Sequence, residues 1–354
     1  MRASLLRPGA SGPVLLGVST EGRWIEAGSD GGEVIGEGWW ALPGLSDAHA
    51  HLAADELDLE PGDPDEIRRR AYACLDRGTF LVVDKGWRDN SVLLTLVGAP
   101  PLEAPDLEGA GRMIATDGGY YPGFAVETDT EGLAETVRGA VEQSRGWVKL
   151  VGDWPRRGRG ALPNFDEKSL STAVTVAHDG GARVAIHTMA PEVASMAVEA
   201  GVDSIEHGLF LDPQDLEKLA ARGGAWVPTV LRMEAIAAML GPDSSGGRLI
   251  RDGIDNVTAL LARVPSGVSV LAGTDLATAP GHVAREVTAL VELGLPSERA
   301  VDAASVAARR YLGRSEGFVV GEPADAVFFD ADPYLYPETL ERPAAVIRSG
   351  KQLR

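Results

Sequence analysis

From Gly44 onward the sequence repeats one unit: a short apolar run, a turn containing Gly or Asp, and a longer alanine-rich amphipathic segment. This alternation constrains the chain to parallel strands linked by helical crossovers. Candidate strands fall at residues 45–49, 79–84, 111–115, 147–151, 183–187, 204–207, 225–229 and 268–273. Helical periodicity appears at 65–77, 130–145, 167–178, 192–200, 213–221 and 281–292, several ending at glycines such as Gly78, Gly201 and Gly223. Eight strands predict an α/β fold of the (β/α)8 TIM-like barrel type. Such a barrel takes about 250 residues, so a chain of 354 has room for a second, smaller domain.

The flanks supply it. Residues 14–34 and 317–354 are short β-type runs broken by Gly and Pro, with residues 318–330 expected as two strands around a turn and 344–351 as a closing hairpin. The predicted boundaries are 44–314 for the barrel, with 1–43 and 315–354 forming the small β domain. Against 33 basic side chains stand 52 acidic ones, and the formal charge of −19 repels phosphate backbones and anionic headgroups. Nucleic acid and membrane are therefore excluded as expected partners. The single cysteine, Cys74, forms no intrachain disulfide and sits in a helical stretch that favours burial. The N-terminus breaks at Pro8-Gly9 before a signal-like apolar run, and no stretch reaches about 18 apolar residues. A cytoplasmic protein acting on a small molecule is expected, with homo-oligomerisation left open.

Side chains two apart on a strand share a face, so His49 and His51 can present two imidazoles to one metal. Alone, such a pair more often reflects chance or packing. Lys149, His187, His207 and Asp275 also fall at strand ends, where barrel enzymes carry their chemistry. Each has an ordinary alternative: Asp275 as a helix cap, His187 and His207 as partners of buried backbone groups. Lys149 lies inside Trp147-Val148-Lys149-Leu150-Val151, and an unpaired buried ammonium is costly. It either reaches solvent or reacts as a neutral amine with CO2, giving a carbamate that bridges two metals. His178, on a helical stretch, reads as structural, and Asp84 as a hydrogen-bonding support.

The runs Leu42-Pro43-Gly44-Leu45-Ser46-Asp47-Ala48-His49-Ala50-His51, Ile205-Glu206-His207-Gly208, Ala272-Gly273-Thr274-Asp275 and Gly321-Glu322-Pro323-Ala324-Asp325 resemble the amidohydrolase superfamily, in its imidazolonepropionase-like and prolidase-like branch. The resemblance implies a barrel joined to a β-sandwich built from both termini. It also implies two divalent metal ions, with zinc the first choice and manganese, cobalt or iron compatible. Carried over, His49, His51 and Asp275 hold one ion, His187 and His207 the other, and a carboxylated Lys149 bridges them. The implied reaction is cleavage of an amide, cyclic amide or lactone by metal-activated hydroxide, with Asp275 as the catalytic proton carrier. A mononuclear deaminase using His49, His51, His187 and Asp275 is the first alternative, although no acid follows His187 before Glu192. A catalytically silent metal-binding scaffold is the second.

Two departures bear on substrate. Dipeptidase-like relatives carry a histidine after strand 3 where this chain has Gly118-Gly119-Tyr120-Tyr121, and often a tyrosine where it has Met189. Tyr120, Tyr121, Trp154 and Met189, with Trp87, therefore predict an aromatic or apolar pocket, and His282 is expected to face substrate. Arg156, Arg157 and Arg159 lie in a glycine-rich loop that is either solvated or a lid over an anionic group.

Overall fold

A computed structural model describes residues 2–9, 12–28, 34–54, 62–156 and 159–354. Its central part is an α/β fold with helices following parallel strands, and the amphipathic repeats account for it. The strands are β1 (Leu45–Ala50), β2 (Thr79–Asp84), β3 (Asp106–Gly109), β4 (Trp147–Val151), β5 (Arg183–Thr188), β6 (Ser204–His207), β7 (Ala225–Val227) and β8 (Ser269–Val270). In β1, β2, β4, β6 and β7 every residue is buried, as expected of parallel strands covered on both faces. The principal helices are α1 (Pro64–Asp76), α2 (Leu133–Gln143), α3 (Glu167–Asp179), α4 (Pro191–Glu199), α5 (Pro213–Arg222), α6 (Val230–Leu240), α7 (Ser245–Leu261) and α8 (Val283–Glu292).

Local chemistry sets their ends. Asp63 caps α1 by accepting from the Asp65 backbone, and Pro64 occupies the first position, where a missing N–H costs nothing. In α5, Asp212 and Asp215 form a reciprocal capping box, and Gly223 closes the helix at φ 71°.

β1, β2 and β3 pair in parallel, and β4 through β8 pair in parallel in chain order, with Ile114–Ala115 beside β4. Backbone bonds also join the margins of these two sheets. Gly109 bridges Gly146, and Ala48 N–H donates to the Ala272 carbonyl at 2.9 Å.

The third strand departs from the expected 111–115: it runs at Asp106–Gly109 and resumes only at Ile114–Ala115. Its alternation, with Asp106 exposed and Leu107 buried, lacks the continuous apolar character of its neighbours. The eighth is regular only at Ser269–Val270, although Leu271 and Ala272 continue backbone pairing. α6 and α7 were not anticipated. In α7, Gly246, Gly247 and Gly253 obscure the period, yet Gly253 is needed, since a Cβ there would lie 2.7 Å from that of Leu209.

At the N-terminus, Arg2–Leu5, Val14–Val18, Trp24–Glu26 and Val34–Ile35 form one four-stranded sheet. A second joins both ends of the chain: Trp40–Leu42 pairs with Ala326–Phe329, followed by Ala345–Arg348 and Lys351–Gln352. Ala3, Leu5, Trp24, Phe328 and Ile347 share one apolar core. The closing hairpin turns through Ser349 (φ 48°) and Gly350 (φ 72°), the left-handed pair a tight hairpin requires. The two strands expected at 318–330 reduce to one, Ala326–Phe329; Pro323, lacking an N–H, makes only an isolated bridge to Arg23. No described helix is long and apolar enough to cross a membrane.

Candidate metal centre

The end of β1 presents both histidines toward the segment after β8. Asp275 Oδ1 lies 3.4 Å from His49 Nε2 and 3.2 Å from His51 Nε2. These three residues offer ligand atoms within 4.8 Å of one another, a spacing one ion can bridge. Other nitrogens of the rings are held from behind. His51 Nδ1 meets the Gly86 carbonyl at 2.7 Å, so Nδ1 carries the proton and Nε2 its lone pair. His207 Nδ1 meets Thr229 Oγ1 at 2.6 Å, and that hydroxyl donates to the Pro228 carbonyl, which leaves it to accept from the imidazole. His207 Nε2 in turn stands 2.9 Å from His187 Nδ1 and 3.9 Å from Asp275 Oδ2. His187 Nε2 has no hydrogen-bond partner among the described residues.

Lys149 points into the same space from β4. It is 2% exposed, and its Nζ has no hydrogen-bond partner among the described residues. Burial lowers the ammonium to about 8, against the opposing pull of Glu206 and Asp275. Burial likewise lowers His49 to about 4 and His207 to about 3, and takes His187 well below the ordinary imidazole range. At neutral pH these rings are neutral, the form that binds metals. Asp275 behaves oppositely: burial pushes its carboxyl up, but the imidazoles of His49, His51 and His207 beside it outweigh this and hold the group well below the ordinary carboxylate range.

The backbone is strained where these side chains leave it. His207 (φ 63°), Thr229 (φ 46°), Asp275 (φ 41°) and Leu276 (φ 61°) all occupy the left-handed region that non-glycine residues avoid. Trp226 Nε1 donates to the His207 carbonyl at 2.9 Å, and Asp275 N–H donates to the His49 carbonyl at 2.8 Å.

Beneath the histidines lies a buried charge network that sequence reasoning did not single out. Glu206 Oε2 stands 2.6 Å from His49 Nδ1, while Oε1 meets Lys85 Nζ at 3.1 Å and accepts from Ser204 Oγ at 2.6 Å. Lys85 also lies 4.2 Å from the Trp147 ring centroid. The available signal was a glutamate in the short strand Ser204-Ile205-Glu206-His207 and a lysine one residue past β2. Asp47 accepts from the His49 backbone, the Thr274 backbone and Thr274 Oγ1, joining the two strand ends that carry His49 and Asp275. Asp84 accepts from Leu52 and Gly86 N–H and so fixes the turn whose carbonyl orients His51.

Above the histidines opens a cavity of about 760 Å³ that includes Tyr120, Tyr121, Trp154 and Met189 in its wall. Tyr120 and Tyr121 each pack edge-on against Trp154, with centroids 4.6 and 4.8 Å apart, and Trp87 meets Phe124 at 4.6 Å. Asp153 holds the Met189 backbone by accepting from its N–H at 2.9 Å. His282 does not line this cavity; its Nδ1 faces Glu341 at 3.4 Å. The preceding Gly281 (φ 85°) packs onto α1, where a Cβ would lie 2.6 Å from the Ala73 carbonyl, and this turns His282 aside. Arg156 is committed to the 116–119 turn, donating to the Asp117 carbonyl, Thr116 Oγ1 and Asn164 Oδ1. Arg157 lies outside the described residues. His178, on α3, faces Asp203 at 2.8 Å and is not part of the cavity wall.

Residues 107–353 match the amidohydrolase family, and the chain belongs to it. It is 34% identical over 335 residues to an uncharacterized protein of Mycobacterium tuberculosis, covering 91% of this chain and 87% of that one. Among solved structures, it is similar to a Xaa-Pro dipeptidase with methionine bound in its active site, at 22% identity, TM-score 0.81 and complete coverage of both chains. Ochratoxinase of A. niger superposes with TM-score 0.77 at 18% identity, covering 100% of this chain and 95% of that one.

Proposed function

We propose that this amidohydrolase-family chain cleaves an amide, cyclic amide or lactone in a small molecule, using a binuclear metal centre bridged by carboxylated Lys149. The observation that carries the reading is the buried Lys149 amine, unpartnered among the described residues, beside neutral His187 and His207 and the His49, His51 and Asp275 cluster. An amine lowered to about 8 is partly neutral at neutral pH, the form that reacts with CO2. The donor set fits: His49, His51 and Asp275 would hold one ion and His187 and His207 the second, with nitrogen and oxygen donors that suit zinc. The edge bonds at Gly109 and Ala48 support a closed (β/α)8 barrel over residues 44–314, with the site at the carboxyl ends of its strands. The two terminal sheets support a small β-sandwich domain from residues 1–43 and 315–354.

When bound, the ions would supply Lewis acidity to an acyl oxygen and lower the pKa of water toward neutrality. The chain's own residues do the rest. Asp275, with Oδ1 turned to both β1 histidines, has Oδ2 free to take a proton and return it to the leaving group. Glu206 and Gly86 orient the β1 imidazoles through their Nδ1 atoms. The aromatic wall excludes water and receives the apolar body of the substrate.

The test is metal analysis together with a panel of amides, cyclic amides and lactones. About two divalent ions per chain and metal-dependent acyl cleavage are expected. Full activity of chelated protein overturns the reading, and ammonia release from an aminated heterocycle without ring or acyl cleavage would replace it with a mononuclear deaminase.

A further inference from the structure

One cationic side chain in the cavity wall has no role in the centre just described. Arg232 lies in the first turn of α6, half-buried, on the wall that continues through Met233 and Ile236. Among the described residues its guanidinium has no hydrogen-bond or ion-pair partner, whereas its neighbours in the wall are largely apolar. It is also held in place. Buried Glu286 accepts from Val230 N–H at 2.7 Å and Leu231 N–H at 3.2 Å, and Arg232 N–H donates to the Thr229 carbonyl at 3.0 Å. Thr229 is the residue that orients His207, so one rigid segment carries both a candidate metal ligand's support and the arginine.

The same cavity wall includes Tyr120, which packs edge-on to His187 with ring centroids 6.4 Å apart. Burial raises its phenol above the ordinary range, and the charge of Arg232 acts against that rise. Among the described residues of the cavity wall Lys149 is the other non-imidazole cation, and the proposed carboxylation uses it.

We infer that Arg232 forms an anion subsite, and that the substrate is an amide joining an aromatic or similarly apolar body to a carboxylate. The inference deepens the hydrolase reading and rests on it for the word amide. A planar guanidinium in a partly dewatered wall recognises a carboxylate through charge-assisted, two-pronged hydrogen bonds, and an apolar cavity strengthens them. The subsite lies on the α6 wall, so it does not depend on the positions now held by Tyr120 and Met189.

Matched ligands test it: N-benzoylphenylalanine, which carries the carboxylate, and N-benzoylphenethylamine, which lacks only that group. Binding of each to the metal-loaded protein is measured by calorimetry, alongside the Arg232→Met and Arg232→Lys variants, with hydrolysis followed in parallel. Arg232→Met is expected to weaken the acid by about 10- to 100-fold and the neutral amide by less than about 2-fold, with Arg232→Lys in between. The unchanged neutral amide also reports an intact fold. Equal affinity of wild type and Arg232→Met for the acid, or equal loss of both ligands, overturns the subsite. Arg232-dependent binding of the acid with neither ligand hydrolysed upholds the subsite and removes the hydrolase reading. Metal-dependent hydrolysis of both ligands, indifferent to Arg232→Met, does the reverse.

Discussion

Replacing Glu206 by Gln tests whether the charge network beneath the histidines is held by mutual compensation. Lys85 is 1% and Glu206 0% exposed, with 3.1 Å between Nζ and Oε1. At an effective dielectric near 20, two unit charges at that distance attract by about 5 kcal/mol. Glutamine keeps the shape and can still accept from His49, but it leaves Lys85 without its ion-pair partner, with the Trp147 face and the more distant charge of Asp84 as compensation. Removing one member of a buried pair costs about 3–5 kcal/mol, because the other charge stays buried and unpaired. With an unfolding entropy of about 2.1 cal/mol/K per residue over a chain of this size, metal-free protein should lose about 4–7 °C in Tm. Adding Lys85→Met removes the orphaned charge and should restore most of that loss, giving a coupling of about 2–4 kcal/mol in the double-mutant cycle. Chemical denaturation of the four proteins measures it. A Glu206→Gln penalty below about 1 kcal/mol, or simple additivity with Lys85→Met, refutes the reasoning.

Lys149→Ala should reduce bound metal from about two ions to about one and abolish turnover, read by elemental analysis on folded protein. Glu286 offers a pH test of opposite sign to an ordinary salt bridge. Burial pushes its carboxyl up to about 8 from an ordinary 4.5, so its stabilising contribution is complete below 4.5 and lost as pH rises through 8. Glu286→Gln should therefore gain on wild type by several kcal/mol, to order of magnitude, between pH 4.5 and 8 in denaturant titrations; a constant difference between the two proteins contradicts the assignment. Trp154→Ala should raise KM for aryl amides by about 10-fold or more with a smaller effect on kcat, since the ring contributes to the pocket wall and not to the reacting centre. An equal fall in kcat would place it nearer the chemistry.

The parallel strands are legible from the alternation of short strand-like runs with helical segments; β2 and β4 are largely apolar, and the predicted bounds of β2, β4 and β6 agree with the structure residue for residue. β3 was displaced because Asp106-Leu107-Glu108-Gly109 alternates like a half-exposed strand, and a local apolar window settles on the next run instead. The histidines at 49, 51, 187 and 207, with Lys149 and Asp275, were visible for a related reason: polar groups in or at the end of apolar runs stand out. The structure brings all six together. Lys85 and Glu206 are not legible as partners because nothing local links a residue after β2 to one in β6; the two strands lie in different sheets, and only the three-dimensional fold brings the side chains together. His282 failed for a different cause, a glycine turn whose packing against α1 decides where the next side chain points. Arg232 escaped notice because its helix, α6, has no strong polar face to reveal it.

Function and stability meet most directly in the backbone. Of the six described non-glycine residues at positive φ, four are His207, Thr229, Asp275 and Leu276, all at strand ends around the cavity. Left-handed geometry costs about 1–3 kcal/mol per residue and persists only where surrounding contacts over-determine it. Those contacts are the same ones that orient the site. Trp226 holds the His207 carbonyl, Thr229 receives the His207 ring, Glu286 holds the two amides after Thr229, and Asp47 ties the Asp275 segment to β1. The strain therefore cannot relax without releasing a ligand-type side chain, and a ligand-type side chain cannot move without breaking a buried hydrogen bond. A centre built this way keeps its imidazoles aimed without a ligand to hold them, so under the proposed reading substrate choice falls to the aromatic wall and to Arg232 rather than to rearrangement of the centre itself.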